Sequence, residues 1–387
     1  MSVLSRLSRS SLLVCILASS LVVTACNRNA DEGEPADAHT ADALGDDAPA
    51  VSEAAETESA ALTAPSFEPK MVETIEGVRT IDALPLKGDL EATWTTCSAA
   101  LGVHLGGSDQ RAPVHRLLWN DGVVYLVAQG SENELLIEAY GLHLDEESCA
   151  LRPFTEFGDD GRMNLGGGAV DVDFFGDLLV VTGIKTRVFT RLGEQRELCE
   201  HLPRLTRLRG AGAHGGARRT GTEIVRATID EDTCTTSALP AIGGEELLGM
   251  QLALLSPDAL FATLHYENVP NALGFFENGA LVWRYFPAET TAETRTTLIT
   301  GMSVLGEDAL VVRSLPQRID VVTREGELRA SFDGGGERGQ PLRDYPYSAV
   351  EIAPNTALVA FRTHEASADH AGVELRVLRT QEITPEP

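Results

Sequence analysis

Aromatic residues are scarce in this chain, 5% of 387 positions, and basic residues are outnumbered. The 31 Lys and Arg stand against 58 Asp and Glu, a net charge of -27. A phosphate backbone needs a basic face, so nucleic acid is excluded as a partner. No two cysteines stand at C-x2-C spacing, which leaves a cysteine-based zinc site without its usual ligands. The chain has no G-x-S-x-G, and so no nucleophile elbow. Its glycine-rich stretches, Asn164 to Gly168 and Gly210 to Gly216, neither open a helix nor end in Lys-Ser/Thr, which excludes a phosphate loop.

Two near misses are instructive. His364-Glu365-Ala366-Ser367-Ala368-Asp369-His370 places its histidines six apart, whereas HExxH needs four to share a helix face. Asp171-Val172-Asp173-Phe174-Phe175-Gly176-Asp177 starts like a calcium loop, but Phe175 stands where an oxygen ligand belongs and no Glu closes it. Its alternation fits an inner strand and turn. Asp159, Asp160 and Asn164 make a weaker cation constellation. No pattern calls for a metal or a cofactor.

What is present begins with an address. Arg6 and Arg9 precede an apolar run from Leu12 to Val23, too short to span a bilayer comfortably. The run ends in Val23-Thr24-Ala25-Cys26, which resembles the lipobox of bacterial lipoproteins. The resemblance implies a signal peptide over residues 1–25, cut before Cys26, with the Cys26 thiol and the new amino group acylated. It implies a membrane anchor through lipid, and Asn27 in place of Asp leans toward the outer membrane. An ordinary secretory signal is the alternative.

Residues 26–70 read as a disordered acidic tether. They lack apolar periodicity, and from residue 27 on they set Arg28 and Lys70 against eleven acids. From residue 71 to 387 the chain changes to apolar runs of four to eight residues bounded by turn residues. Inner turns precede the runs VVYLVAQ, LLVVTG, ALFATLH, ALVVRS and TALVAFR. Outer hairpins turn near Glu146, Gly193, Glu231, Asn278 and Glu325, at spacings of 47, 38, 47 and 47. This period resembles that of β-propellers, including bacterial propeller lipoproteins, and implies an all-β propeller. Six four-stranded blades are expected, starting near His115, Val170, Leu205, Met250, Met302 and Ala349. A seventh, built partly from residues 71–110, stays open. The last unit lacks an outer strand, which Leu90 to Leu101 could supply and so close the ring. The third unit is expected to be irregular, because GAGAHGGARRTG has the composition of a loop. Trp94, Trp119 and Trp283 read as blade packing, and His214 as exposed.

Cys97, Cys149, Cys199 and Cys234 remain once Cys15 leaves with the signal and Cys26 takes lipid. An even number in an oxidising compartment suggests disulfides, with three possible connectivities. Cys149, Cys199 and Cys234 are placed on outer strands and Cys97 on the closing strand. Neighbouring-blade pairing would join Cys97 to Cys149 and Cys199 to Cys234, although outer strands diverge and bridges need Cα atoms within roughly 7 Å. The functional expectation is a non-catalytic binding scaffold in the cell envelope, with another envelope protein or a polymer as partner. The alternative is a hydrolase or lyase at the central channel, drawing on His115, Asp171, Asp173 and Glu351.

Overall fold

The computed structural model describes residues 76–97, 103–104, 111–112, 114–130, 134–199, 202, 205–212, 214–219, 224–238, 251–266, 269–285, 299–314, 317–333, 344–363 and 372–383. The chain divides into Met1–Ser66 and Phe67–Pro387, and all described residues belong to the second unit. Cys26, the expected signal peptide and tether, and the His364–His370 segment lie outside them. Among the described residues there are strands and turns and no helix.

Two strands precede the repeats, β1 (Arg79–Ile81) and β2 (Leu90–Thr96), followed by a small hairpin of β3 (Val103–His104) and β4 (Arg111–Ala112). The first blade is β5 (Val114–Asn120), β6 (Val123–Gln129), β7 (Glu134–Leu144) and β8 (Cys149–Pro153), with β9 (Arg162–Gly167) on the other half of β7. The second is β10 (Ala169–Phe175), β11 (Leu178–Gly183), β12 (Arg187–Thr190) and β13 (Gln195–Arg196). The third is β14 (Leu205–Ala211), β15 (His214–Arg219), β16 (Ile224–Ile229) and β17 (Cys234–Ala238). The fourth is β18 (Leu252–Ser256), β19 (Ala259–Tyr266), β20 (Val269–Glu277) and β21 (Ala280–Tyr285). The fifth is β22 (Ile299–Leu305), β23 (Asp308–Ser314), β24 (Gln317–Val322) and β25 (Leu328–Asp333). The sixth is β26 (Asp344–Ala353), β27 (Thr356–Thr363) and β28 (Gly372–Glu382), completed by β2 antiparallel to β28.

These six blades form a β-propeller. Inner strands β5, β10, β14, β18, β22 and β26 each contact the next, and β26 contacts β5. At that seam Leu117 donates its N–H to Ser348 Oγ at 3.0 Å. Outside the third blade, the second strand of each blade is apolar through its centre because both its faces are covered. In β6, Val124, Leu126 and Ala128 enter the core shared with the sixth blade, while Val123, Tyr125 and Val127 enter the core shared with the second. In β23 the same alternation sends Ala309 and Val311 one way and Leu310 and Val312 the other. A period of two on a doubly buried strand thus reads as a continuous apolar run. The β20–β21 turn has Asn278 and Gly279 both at positive φ, 51° and 81°, the backbone a tight two-residue hairpin requires.

The six expected blades are present, the open question of a seventh closes, and two expectations change. The segment before Cys97 builds no seventh blade. Instead it runs along outer edges: β1 pairs in parallel with β21, Leu86 bridges to Leu328, and β2 closes the sixth blade. The third blade is regular, and glycine is the reason. A Cβ on Gly210 would lie 1.7 Å from the Phe174 carbonyl oxygen, and one on Gly215 would lie 2.2 Å from the Phe175 ring. The glycines let β14 and β15 approach β10 as closely as the ring demands. Cys199 lies past the end of β13 and not on it. Having left the sheet, the chain brings Cys199 to Cys234 with Cα atoms 5.2 Å apart. Cys97 pairs with Cys149 at a Cα separation of 4.2 Å, linking the sixth blade to the first.

Candidate functional site

The inner strands surround a cavity of about 310 Å³ on the propeller axis. Five of them carry a β-bulge near their start, at Ala169/Asp171, Val114/Arg116, Thr206/Arg209, Ile299/Gly301 and Pro346/Ser348. A bulge re-aims the residues beside it. The residues that follow are Arg116, Asp171, Arg209, Gly301 and Ser348, and all line the cavity. Gln251, whose backbone pairs with Thr263 as Asp171 pairs with Thr182, fills the corresponding place in the fourth blade. One level of the channel is therefore Arg, Asp, Arg, Gln, Gly, Ser in blade order. Side chains with polar ends come from blades one to four. Small residues come from blades five and six.

The charged half is bound to itself. Arg116 donates from Nη1 to Asp171 Oδ1 and to the Val172 carbonyl, each at 2.5 Å. Its Nη2 donates to Asp173 Oδ2 and, at 3.1 Å, to the Leu208 carbonyl. Arg209 Nη1 lies 3.5 Å from Asp171 Oδ2, and its Nη2 donates to Gln251 Oε1 at 3.0 Å. Asp173 also accepts the N–H groups of Phe174 at 2.8 Å and Gly210 at 3.2 Å. One guanidinium thus joins the first three blades, and the second extends the chain of contacts to the fourth.

Burial works against the Arg116 charge, but Asp173 and Asp171 more than offset it and raise its pKa. Burial pushes the Asp173 carboxyl above its usual range, and Arg116 and Arg209 pull it back only in part. Burial thus opposes both charges, and the partner offsets it fully for Arg116 but only in part for Asp173.

Of the four channel residues expected from the sequence, the structure brings Asp171 and Asp173 together on Arg116. His115 is exposed beside the mouth where the inner strands begin, and Glu351 lies toward the opposite mouth. There Glu351 accepts the Gly306 N–H at 2.7 Å, and burial raises its pKa. Arg116, Arg209 and Gln251 are the residues sequence reasoning missed. Aligning the six inner strands by position would have brought them into one column. Trp283 is fully buried, with its Nε1 donating to the Arg324 carbonyl at 2.6 Å, and Trp94 stands edge-on to Phe361. His214 is exposed. Among the described residues no group of three or more His, Cys, Asp or Glu could hold a metal ion.

No protein-family model matches the chain, and no curated protein sequence does. Among solved structures, a catalytically inactive virginiamycin B lyase from Staphylococcus aureus has a TM-score of 0.44 at 15% identity, over 75% of this chain and 99% of that one. BamB from Moraxella catarrhalis has a TM-score of 0.38 at 12% identity, over 77% and 94%. A luciferin-regenerating enzyme has 0.45 at 10%, over 75% and 95%. All three likenesses fall below a TM-score of 0.5, and the fold stated here rests on the strand pairing and the closed ring of inner strands.

Proposed function

We propose that this chain is a lipid-anchored envelope lipoprotein whose propeller serves as a non-catalytic binding scaffold. In this reading residues 1–25 are removed, Cys26 carries the lipid, residues 26–70 are the tether, and residues 71–387 are the domain presented to a partner. The outer membrane is the expected location, from Asn27. The observation that carries the scaffold half is the self-contained channel cluster. Arg116, Asp171, Asp173, Arg209 and Gln251 direct their polar atoms at one another across blade seams. A general acid or base must instead present its polar atom to a reacting group. The two faces of the ring, where the blade connections lie, are then the natural contact surface.

The channel enzyme is the second reading, favoured by the same cavity and its ionisable groups. Photocrosslinking in intact cells from positions on both faces tests the first reading. Capture of a discrete envelope protein is expected. A reaction abolished by Asp173→Asn, with no discrete partner captured, would replace the scaffold with the enzyme.

A further inference from the structure

Charge is distributed unevenly over the ring. Residues 185–226 hold ten of the chain's 31 Lys and Arg, but only Glu194, Glu197, Glu200 and Glu223 among its 58 acids. A span with six surplus cations within a chain of net charge -27 calls for an account of where those cations sit.

Topology places most of them at one end of the second and third blades. Inner strands begin, and second strands end, at the same mouth of the channel. Lys185 lies between β11 and β12, Arg187 opens β12, and Arg196 ends β13. Arg207 lies in the bulge near the start of β14, and Arg218 and Arg219 end β15. The opposite end of the same two blades carries Asp177, Glu194, Asp230, Glu231 and Asp232, with Arg191 as the cation. Glu197, beside Arg196, is the described acid at the first end, so cations outnumber acids there and acids outnumber cations at the other.

The basic end also exposes apolar side chains. Ile184 is 78% exposed, and Val170, on the bulge of β10 at the channel mouth, is 41% exposed. Lys185 and Arg196 are exposed and have no ion-pair partner among the described residues. Next to them Arg187 is anchored, its Nη2 donating to the Leu165 carbonyl at 2.6 Å. The first blade interrupts the basic area with Glu134, which opens β7 at that same mouth.

We propose that this mouth of the second and third blades docks an acidic polypeptide segment that carries apolar residues, supplied by a partner protein. The inference rests on the scaffold reading and names the chemistry of its partner. A flat anionic bilayer would meet Glu134 and Glu197 along with the cations, whereas a single extended segment can follow two blades. A bare polyanion would leave Ile184 and Val170 in water. An acidic segment with apolar side chains satisfies both the charge and the exposed apolar surface.

The test uses the full chain and a fluorescent twelve-residue peptide of Glu interspersed with Leu, read by anisotropy at two salt concentrations. Competitors are inorganic polyphosphate and phosphatidylglycerol vesicles. Lys185→Glu with Arg196→Glu should weaken peptide binding about tenfold, since each reversal acts on a partly screened surface charge. Ile184→Ser should weaken it about threefold, the scale of one partly buried apolar side chain. Arg152→Glu, on the exposed outer strand of the first blade, should leave it unchanged, and thermal melts of all variants should match. Peptide binding indifferent to the double reversal overturns the proposal. So does equal competition by polyphosphate or vesicles together with indifference to Ile184→Ser. If crosslinking in cells still captures a partner while the reversals have no effect, the sector is wrong and the scaffold reading stands.

Discussion

Arg116 shows what a single side chain can do on the axis of a ring. It touches two carboxylates and two carbonyls contributed by the neighbouring blades. Arg116→Met would leave the buried Asp171 and Asp173 to share Arg209 as their remaining cation, at a cost of about 3 kcal/mol. Urea unfolding should show it, and adding Asp171→Asn and Asp173→Asn should recover part of the loss. Asp89 behaves differently, because it sits on the rim. Hydrogen bonding from Arg329 lowers its pKa to about 2, against a smaller opposing contribution from burial, and Lys87 adds to the lowering. A depressed carboxylate pKa stabilises the folded state above the unfolded value of about 4. That contribution is lost as pH falls from about 4 toward 2. Unfolding midpoints at pH 7 and pH 2.5 should therefore differ less in Asp89→Asn than in the parent protein.

Among the elements, the segment from Arg79 to Cys97 has the widest reach. It adds a parallel strand to the fourth blade, and at the fifth the Lys87 N–H donates to the Leu328 carbonyl while the Leu328 N–H donates to the Pro85 carbonyl. It then supplies the outer strand of the sixth and ends at a disulfide to the first. A closed ring has its weakest seam where the two ends of the chain meet, so a strap across that seam stabilises the whole. The Cys97–Cys149 link closes a loop of 52 residues, which in the chain-entropy account contributes about 4 kcal/mol. Cys97→Ser with Cys149→Ser should lower the melting temperature and leave only the sensitivity to a thiol reductant that comes from Cys199–Cys234. In the third blade, Gly210→Ala should destabilise by about 1–3 kcal/mol, because the added methyl meets the Phe174 carbonyl and the inner strands must move apart. A melt of that variant beside Gly167→Ala, where φ is not positive and a Cβ meets nothing within 4 Å, separates this approach from a general cost of replacing glycine.

For the whole molecule, the anchoring reading makes a direct prediction. Cys26→Ser should abolish palmitate labelling and move the protein from the membrane fraction to the soluble one. The architecture itself was legible because it depends on repetition. Apolar runs such as VVYLVAQ and ALVVRS recur at blade spacing, and a strand covered on both faces cannot avoid that pattern. The third blade was misread for a local reason: composition marks Gly210 to Gly216 as a loop, but close packing against Phe174 and Phe175 demands the same residues. The channel was half legible. Asp171 and Asp173 are conspicuous within one strand, whereas their partners Arg116 and Arg209 lie 55 and 38 positions from Asp171 and look like ordinary surface cations. Alternation, turns and period were determined by the sequence alone, since each follows from neighbours along the chain. Which charges neutralise one another, which cysteines meet, and where the N-terminal strands attach were decided only by closing the ring, because that step sets distances between residues far apart in sequence.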